Sequence, residues 1–228
     1  MHIPEGCITG RFVSEDKNRF LCTVEIDGAK ETCYIASSCR LDNFINLRGK
    51  TVLLKPTEGK FASTNYAVFA VKHKRNYILL NTSFANKAIE NAMYNRKMSM
   101  LGKRIGVKRE FTVENYKTDF YIPNSNTIVE VKSVISVKDK AHFPTVYSER
   151  TLKQLQIIEG LLQNGYAAHL VIVSLNPYVK EIEIYKNTEF YEFLSRCVSC
   201  GLMVEAFSCR LMEDGNARIW KKIPLHYA

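Results

Sequence analysis

The chain of 228 residues carries 32 Lys and Arg against 23 Asp and Glu, a formal net charge of +9, and 46% of its residues are hydrophobic. Such a balance excludes a solvated polyelectrolyte, and no apolar run approaches the ~20 residues of a bilayer-spanning helix. The opening MHIPEGCITG has no basic segment leading into an apolar stretch, so no signal peptide is read and a cytoplasmic location is expected.

The first part of the chain reads as short strands. GRFVSED, RFLCTVEID and KETCYIAS alternate apolar with polar residues, and Asp27-Gly28 between two of them is a hairpin signal. Thr51–Lys55 and Tyr66–Lys72 add β-type runs around the turn-rich PTEGKFAST. Short strands joined by tight turns predict a small barrel over residues 1–76, of which the OB fold is one common form. Phe12, Phe20 and Tyr34 read either as its core or as base-stacking residues on its surface.

From residue 77 to 228 the pattern changes. Ser83 is the predicted cap of a helix through FANKAIENAMYN, with Phe84, Ala88, Ala92 and Met93 at helical spacing. Strands follow at Gly106–Thr112, Lys117–Ile122 and Thr127–Val134. The next helix, SERTLKQLQIIEGLLQNG, is capped by Ser148, carries an apolar stripe and ends at Gly165. AAHLVIVSL is a buried strand, Glu189–Cys200 a helix, and LMVEAFSCRL a last strand. Strand alternating with helix predicts an α/β sheet covered by helices.

Seven cysteines are too few and too scattered for a disulfide scaffold. Cys197 and Cys200 form C-x-x-C without the second ligand pair that zinc requires, and their helical spacing suits packing better.

Between Asn76 and Arg109, the cations Lys87, Arg96, Lys97, Lys103, Arg104, Lys108 and Arg109 face a single acid, Glu90. They read as a polyanion-facing surface or as a solvated helical face. Arg150 and Lys153 in the first turn of their helix oppose its dipole, which favours a phosphate-binding role for them. Glu149 is either a helix-start acid or a supporting partner of the site.

Asp119 lies on one predicted strand, and Glu130 and Lys132, two apart on the next, share a face. Charges inside an apolar strand are costly to bury unless paired, and a divalent cation would pair them. Two carboxylates with the Val131 carbonyl form a hard-oxygen set suited to Mg2+ or Mn2+. Lys132 would serve the attacking water or the charge on phosphorus.

The segment ENYKTDFYIPNSNTIVEVKSV and the later HFPTVYSER, with an early GRF, the Asn81, Thr82, Asn86 element and Lys108–Glu110, resemble the sugar fermentation stimulation protein (SfsA) family. The resemblance implies an OB-like barrel followed by a restriction-endonuclease-like, PD-(D/E)xK, α/β domain, with DNA binding and DNA or RNA nuclease activity. It assigns Asp119, Glu130 and Lys132 to the nuclease positions and sets Glu110, Glu149, Arg150 and Lys153 around them. Candidate nucleic-acid contacts are Arg11, Lys87, Arg96, Lys97, Lys103 and Arg104. The chain departs from the family at Ala36–Leu41, which replaces a P-N-T-G-x-M element, and at Asn91, where an acid is usual and where Glu90 points about 100° away. Two other readings stand beside the nuclease: a non-catalytic DNA-binding regulator of sugar-utilisation genes, and a protein whose charge serves a protein partner. No membrane partner is expected, and the oligomeric state stays open, a homodimer among the options.

Overall fold

A computed structural model describes residues 3–36, 40–57, 63–95, 98–102 and 104–228. The first five strands are β1 (Ile8–Glu15), β2 (Leu21–Ile26), β3 (Ala29–Ile35), β4 (Thr51–Pro56) and β5 (Tyr66–His73). Antiparallel pairs β1–β2, β2–β3, β1–β4 and β4–β5 are closed into a barrel by a parallel contact of Tyr34 and Ile35 with Ala67 and Val68. This is the OB barrel. Asp27 and Gly28 both take positive φ, 49° and 82°, the geometry that a two-residue hairpin of matching twist requires. Alternation does the rest: Cys22, Val24, Cys33 and Ile35 point inward, while Phe20 and Tyr34 stay on the surface. Phe12 is core, so of the three aromatics weighed for base stacking two remain available.

A sixth strand, β6 (Asn76–Leu79), extends β5 antiparallel, and its Leu79 N–H donates to the Leu175 carbonyl at 3.0 Å. That bond ties the barrel to the second domain. There α1 (Ser83–Tyr94) precedes β7 (Lys108–Val113), β8 (Tyr116–Ile122) and β9 (Thr127–Val134). Then come β10 (Lys140–His142), α2 (Glu149–Gln163), β11 (Ala167–Ser174), β12 (Glu181–Ile184), α3 (Glu189–Ser199), β13 (Met203–Leu211), β14 (Ala217–Ile223) and β15 (Leu225–Tyr227). The main sheet has the order β14-β13-β11-β9-β8-β7, parallel at β9-β11-β13 and antiparallel at both flanks. A smaller parallel sheet, β10-β12-β15, sits beside it.

The sheet is buried on both faces, which is why β11 reads as a continuous apolar run. Ile128, Leu170 and Ile172 face α2 and α3. Val129, Val131, Val171 and Val173 face the other way, into one core shared with α1 and the barrel. Three expectations need adjustment. Ser83 is the first helical residue rather than the cap of α1, and the Asn81 side chain accepts its N–H at 2.9 Å. The strands β6, β10, β12, β14 and β15 escaped the sequence reading. Cys197 is buried with its thiol donating to the Leu155 carbonyl at 3.2 Å, while Cys200 is exposed at the helix end. Ser148 does cap α2, accepting the Thr151 N–H at 3.3 Å.

Candidate active site

The site begins where β8 and β9 part. Their ladder pairs Ile122 with Thr127 and Phe120 with Val129. Beyond Phe120, side chains take over the ladder's role. Thr118 Oγ1 donates to the Val129 carbonyl at 3.1 Å, and Asp119 Oδ2 accepts the Val131 N–H at 2.8 Å. The strands stay joined while a carboxylate is pinned at their divergence. Asp119 Oδ1 accepts from Asn86 Nδ2 of α1, also at 2.8 Å.

Glu130 is only 4% exposed, so its charge has to be satisfied by the protein. Oε1 accepts from Lys132 Nζ at 2.8 Å and from Gln154 Nε2 of α2 at 3.0 Å, and Oε2 accepts from Tyr116 OH at 2.6 Å. Lys132 Nζ also donates to Gln154 Oε1, which uses two of its three hydrogens and leaves the third. Asp119 is held above the usual aspartate range, chiefly by burial and next by the Glu130 charge, against the pull of the Val131 N–H, Asn86 and Lys132. A bound cation would relieve the penalty on the Asp119 charge. Asp119 Oδ1 and Oδ2 and Glu130 Oε2 each accept one of these bonds and keep a lone pair, so hard-oxygen donors for Mg2+ or Mn2+ are present. Among the described residues no group of three or more His, Cys, Asp or Glu forms a metal cluster, so water and phosphate would complete the shell, as is usual for Mg2+.

These groups line an open cleft of about 480 Å3 that runs from Phe44 of the barrel to the 143–148 loop. Asp119, Glu130, Val131 and Lys132 share it with Asn86 and Gln154. Thr82 and Ser83 at the start of α1, and Ser148, Arg150 and Thr151 at the start of α2, also line it. Two helix N-termini, an arginine and a lysine favour an anion in the same space where two carboxylates favour a cation.

The other candidates are scattered. Arg150 lines the cleft, whereas Glu149 and Lys153 are exposed outside its lining. Glu110 is exposed and paired with Lys117 at 2.7 Å. Arg11 lies on the barrel surface at β1. Lys87 sits over the Phe84 ring and Lys108 over Phe111, while Arg109 pairs with Glu90 at 3.0 Å. Arg104 is partly buried and donates to the Met98 carbonyl. Arg96, Lys97 and Lys103 lie outside the described residues, as do Ser37, Ser38 and Cys39 of the altered Ala36–Leu41 element. Asn91 Oδ1 accepts from Asn95, so neither it nor Glu90 faces the cleft. Sequence reasoning missed Asn86, Tyr116 and Gln154 as site residues. Gln154 lies one turn after Arg150, which is the signal that could have found it.

Residues 15–80 match the SfsA N-terminal OB domain, and residues 83–215 match the sugar fermentation stimulation protein RE domain. The chain belongs to the SfsA family. Among its relatives is a sugar fermentation stimulation protein homolog of Desulfitobacterium hafniense, 26% identical over 212 residues and 90% of each chain. A homolog of the same description from Caldanaerobacter subterraneus is 29% identical over 220 residues, 94% of this chain and 95% of that one. The solved SfsA of Pyrococcus furiosus superposes with a TM-score of 0.82 at 21% identity, over 99% of this chain and 97% of that one. SfsA membership therefore accounts for both halves of the fold. The described helices include none long and apolar enough to cross a membrane.

Proposed function

We propose that this SfsA protein binds nucleic acid and hydrolyses its phosphodiester bonds with the help of a divalent metal ion. The observation that carries the reading is the meeting of Asp119, Glu130 and Lys132 in one open cleft beside two helix N-termini. A cation of the Mg2+ or Mn2+ type supplies Lewis acidity toward a phosphoryl oxygen and acidifies water. Asp119 and Glu130 would hold it, each already oriented by hydrogen bonds. Lys132, fixed by Glu130 and Gln154 and lining the cleft, would use its remaining hydrogen to orient water or the phosphate. Arg150 and the N-terminal turns of α1 and α2 draw the phosphate in. The Pyrococcus furiosus relative was solved in complex with Ca2+, another cation that takes oxygen ligands.

Labelled single- and double-stranded DNA and RNA, incubated with Mn2+ or EDTA, test the reading. Metal-dependent cleavage that disappears in Asp119→Ala supports it. Binding with no cleavage, unchanged by that substitution, overturns the enzyme.

A second reading is a DNA-binding regulator on the same fold. It is favoured by the closure of Glu130, both of whose oxygens are already engaged by Tyr116, Lys132 and Gln154, and by the name that the relatives carry.

A further inference from the structure

Of the described cations in the stretch visible in the sequence, Arg104 and Arg109 have polar partners and Lys87 and Lys108 lie over rings, while another set, drawn from separate segments, meets at the seam between the two domains. The β5–β6 hairpin reaches across that seam: the Arg75 N–H and Asn76 Nδ2 donate to Tyr178 OH at 3.1 and 2.8 Å. Lys74 at the hairpin tip holds its ammonium 5.0 Å from the Tyr178 ring centroid. Across the seam, Lys180 pairs with Asp139 at 3.3 Å, and Lys138 stands next to it. On the barrel side Lys50 and Lys74 flank His73, whose imidazole is held below its ordinary pKa by burial and then by these two charges. Lys74 also acts on the Asp139 carboxylate.

Lys50, Lys74, Arg75, Lys138 and Lys180 are all exposed. Lys50, Arg75 and Lys138 form no ion pair among the described residues. Unpaired like charges on segments that meet at one seam repel one another, and a polyanion relieves that repulsion. The face adjoins the cleft: Ile135 lines the cleft, the Ser136 carbonyl accepts from Asn176 Nδ2 at 2.8 Å, and Ser136 Oγ accepts the Lys138 N–H at 3.1 Å. Three residues span at most ~10 Å of chain, so Lys138 lies within a few phosphate spacings of the cleft wall.

We infer that this two-domain seam is a phosphate-binding surface that carries the backbone of a nucleic acid past the cleft. The inference rests on the nucleic-acid part of the proposed function. It adds a track built by both domains, which gives a use for the attachment of the barrel through β6.

Fluorescence anisotropy of a labelled duplex in EDTA, over a range of KCl, tests it with the wild type, the triple variant Lys50→Ala, Arg75→Ala, Lys138→Ala, and the exposed control Lys221→Ala on β14. Loss of three phosphate contacts reduces the slope of log K against log salt by up to about 2.7, and we expect at least a tenfold weaker Kd at 100 mM salt. Lys221→Ala lowers the slope by no more than a single contact, about 0.9. Should the triple variant unfold, Lys138→Glu alone, at an exposed position, gives the same direction. Wild-type slope and affinity in the triple variant and in Lys138→Glu overturn the surface and leave the cleft reading standing. Absence of salt-dependent binding by the wild type overturns both. Binding with the expected slope change but without cleavage on adding Mn2+ overturns only the nuclease.

Discussion

Tyr116 OH donates to Glu130 Oε2 at 2.6 Å, and both residues are buried at 4% exposure. The contact joins the start of β8 to the middle of β9 on the side where the strands have separated. It fixes the carboxylate from behind while Lys132 and Gln154 fix it from the front. The phenol proton is held correspondingly tightly: burial and the Glu130 charge push the Tyr116 pKa well above the ordinary tyrosine range.

Replacing Tyr116 by Phe keeps the ring and removes this donor. A buried acceptor left without a partner costs about 1–3 kcal/mol, so urea denaturation should show a loss of that size. Hydrogen bonds to ligating carboxylates also tune metal affinity, and calorimetric titration should find Mn2+ binding weakened about 10-fold. Unchanged stability together with unchanged Mn2+ affinity would show that Glu130 does not depend on the phenol.

Lys132→Met preserves the length of the side chain and removes its charge. With the water-orienting group gone, cleavage should fall by about 10²–10⁴-fold while the anisotropy-measured affinity for uncleaved DNA changes little. Glu130 retains Tyr116 and Gln154 as donors in that variant, so the protein should remain folded by circular dichroism. A parallel loss of binding and cleavage would place Lys132 in substrate attachment instead.

The legibility of this fold follows from which signals are local. β9 announces its chemistry because Glu130 and Lys132 interrupt an apolar strand at the period that puts them on one face. The barrel is legible through alternation and through Asp27-Gly28. Asn86 and Tyr116 were not legible as site residues, because what makes them so is the divergence of β8 from β9 and the docking of α1, both long-range events. The partners of the basic stretch were not legible for a related reason. Lys87, Arg104, Lys108 and Arg109 are close in sequence, yet rings, a carbonyl and Glu90 occupy them. β12 and β15 are short strands whose partners lie far off in the chain, so periodicity over a few residues could not declare them.

Gly10 on β1 offers a test of barrel packing apart from the cleft. A Cβ there would meet Val24 Cγ1 at 2.5 Å and the Glu25 carbonyl oxygen at 3.0 Å. The backbone oxygen has little room to retreat within the β1–β2 pair, in which Arg11 opposes Glu25. Gly10→Ala should therefore destabilise the protein by about 1–3 kcal/mol, the cost of overpacking, as read by urea denaturation. Mn2+ binding at the cleft should be unaffected once the protein is folded.

Asp119 supplies a pH dependence whose direction is fixed by its environment. Burial and Glu130 raise its pKa in the folded protein, so ionisation is harder there than in the unfolded chain. Below the ordinary aspartate pKa of about 3.9 the group is protonated in both states and carries no penalty. As the pH climbs past that value the unfolded chain ionises first, and folded stability is lost until the pH exceeds the raised folded value. Asn at this position is neutral throughout, and its amide fits the same partners: Oδ1 accepts the Val131 N–H, and Nδ2 donates to Asn86 once that amide turns over. In EDTA, Asp119→Asn should accordingly melt above the wild type at neutral pH, and the difference should shrink as the pH is lowered toward the ordinary aspartate range. A difference that grows on acidification would mean that the hydrogen bonds from Val131 and Asn86 outweigh burial and the Glu130 charge. With saturating Mn2+ the order should invert, because ligand bound to the folded state stabilises the wild type in proportion to its affinity.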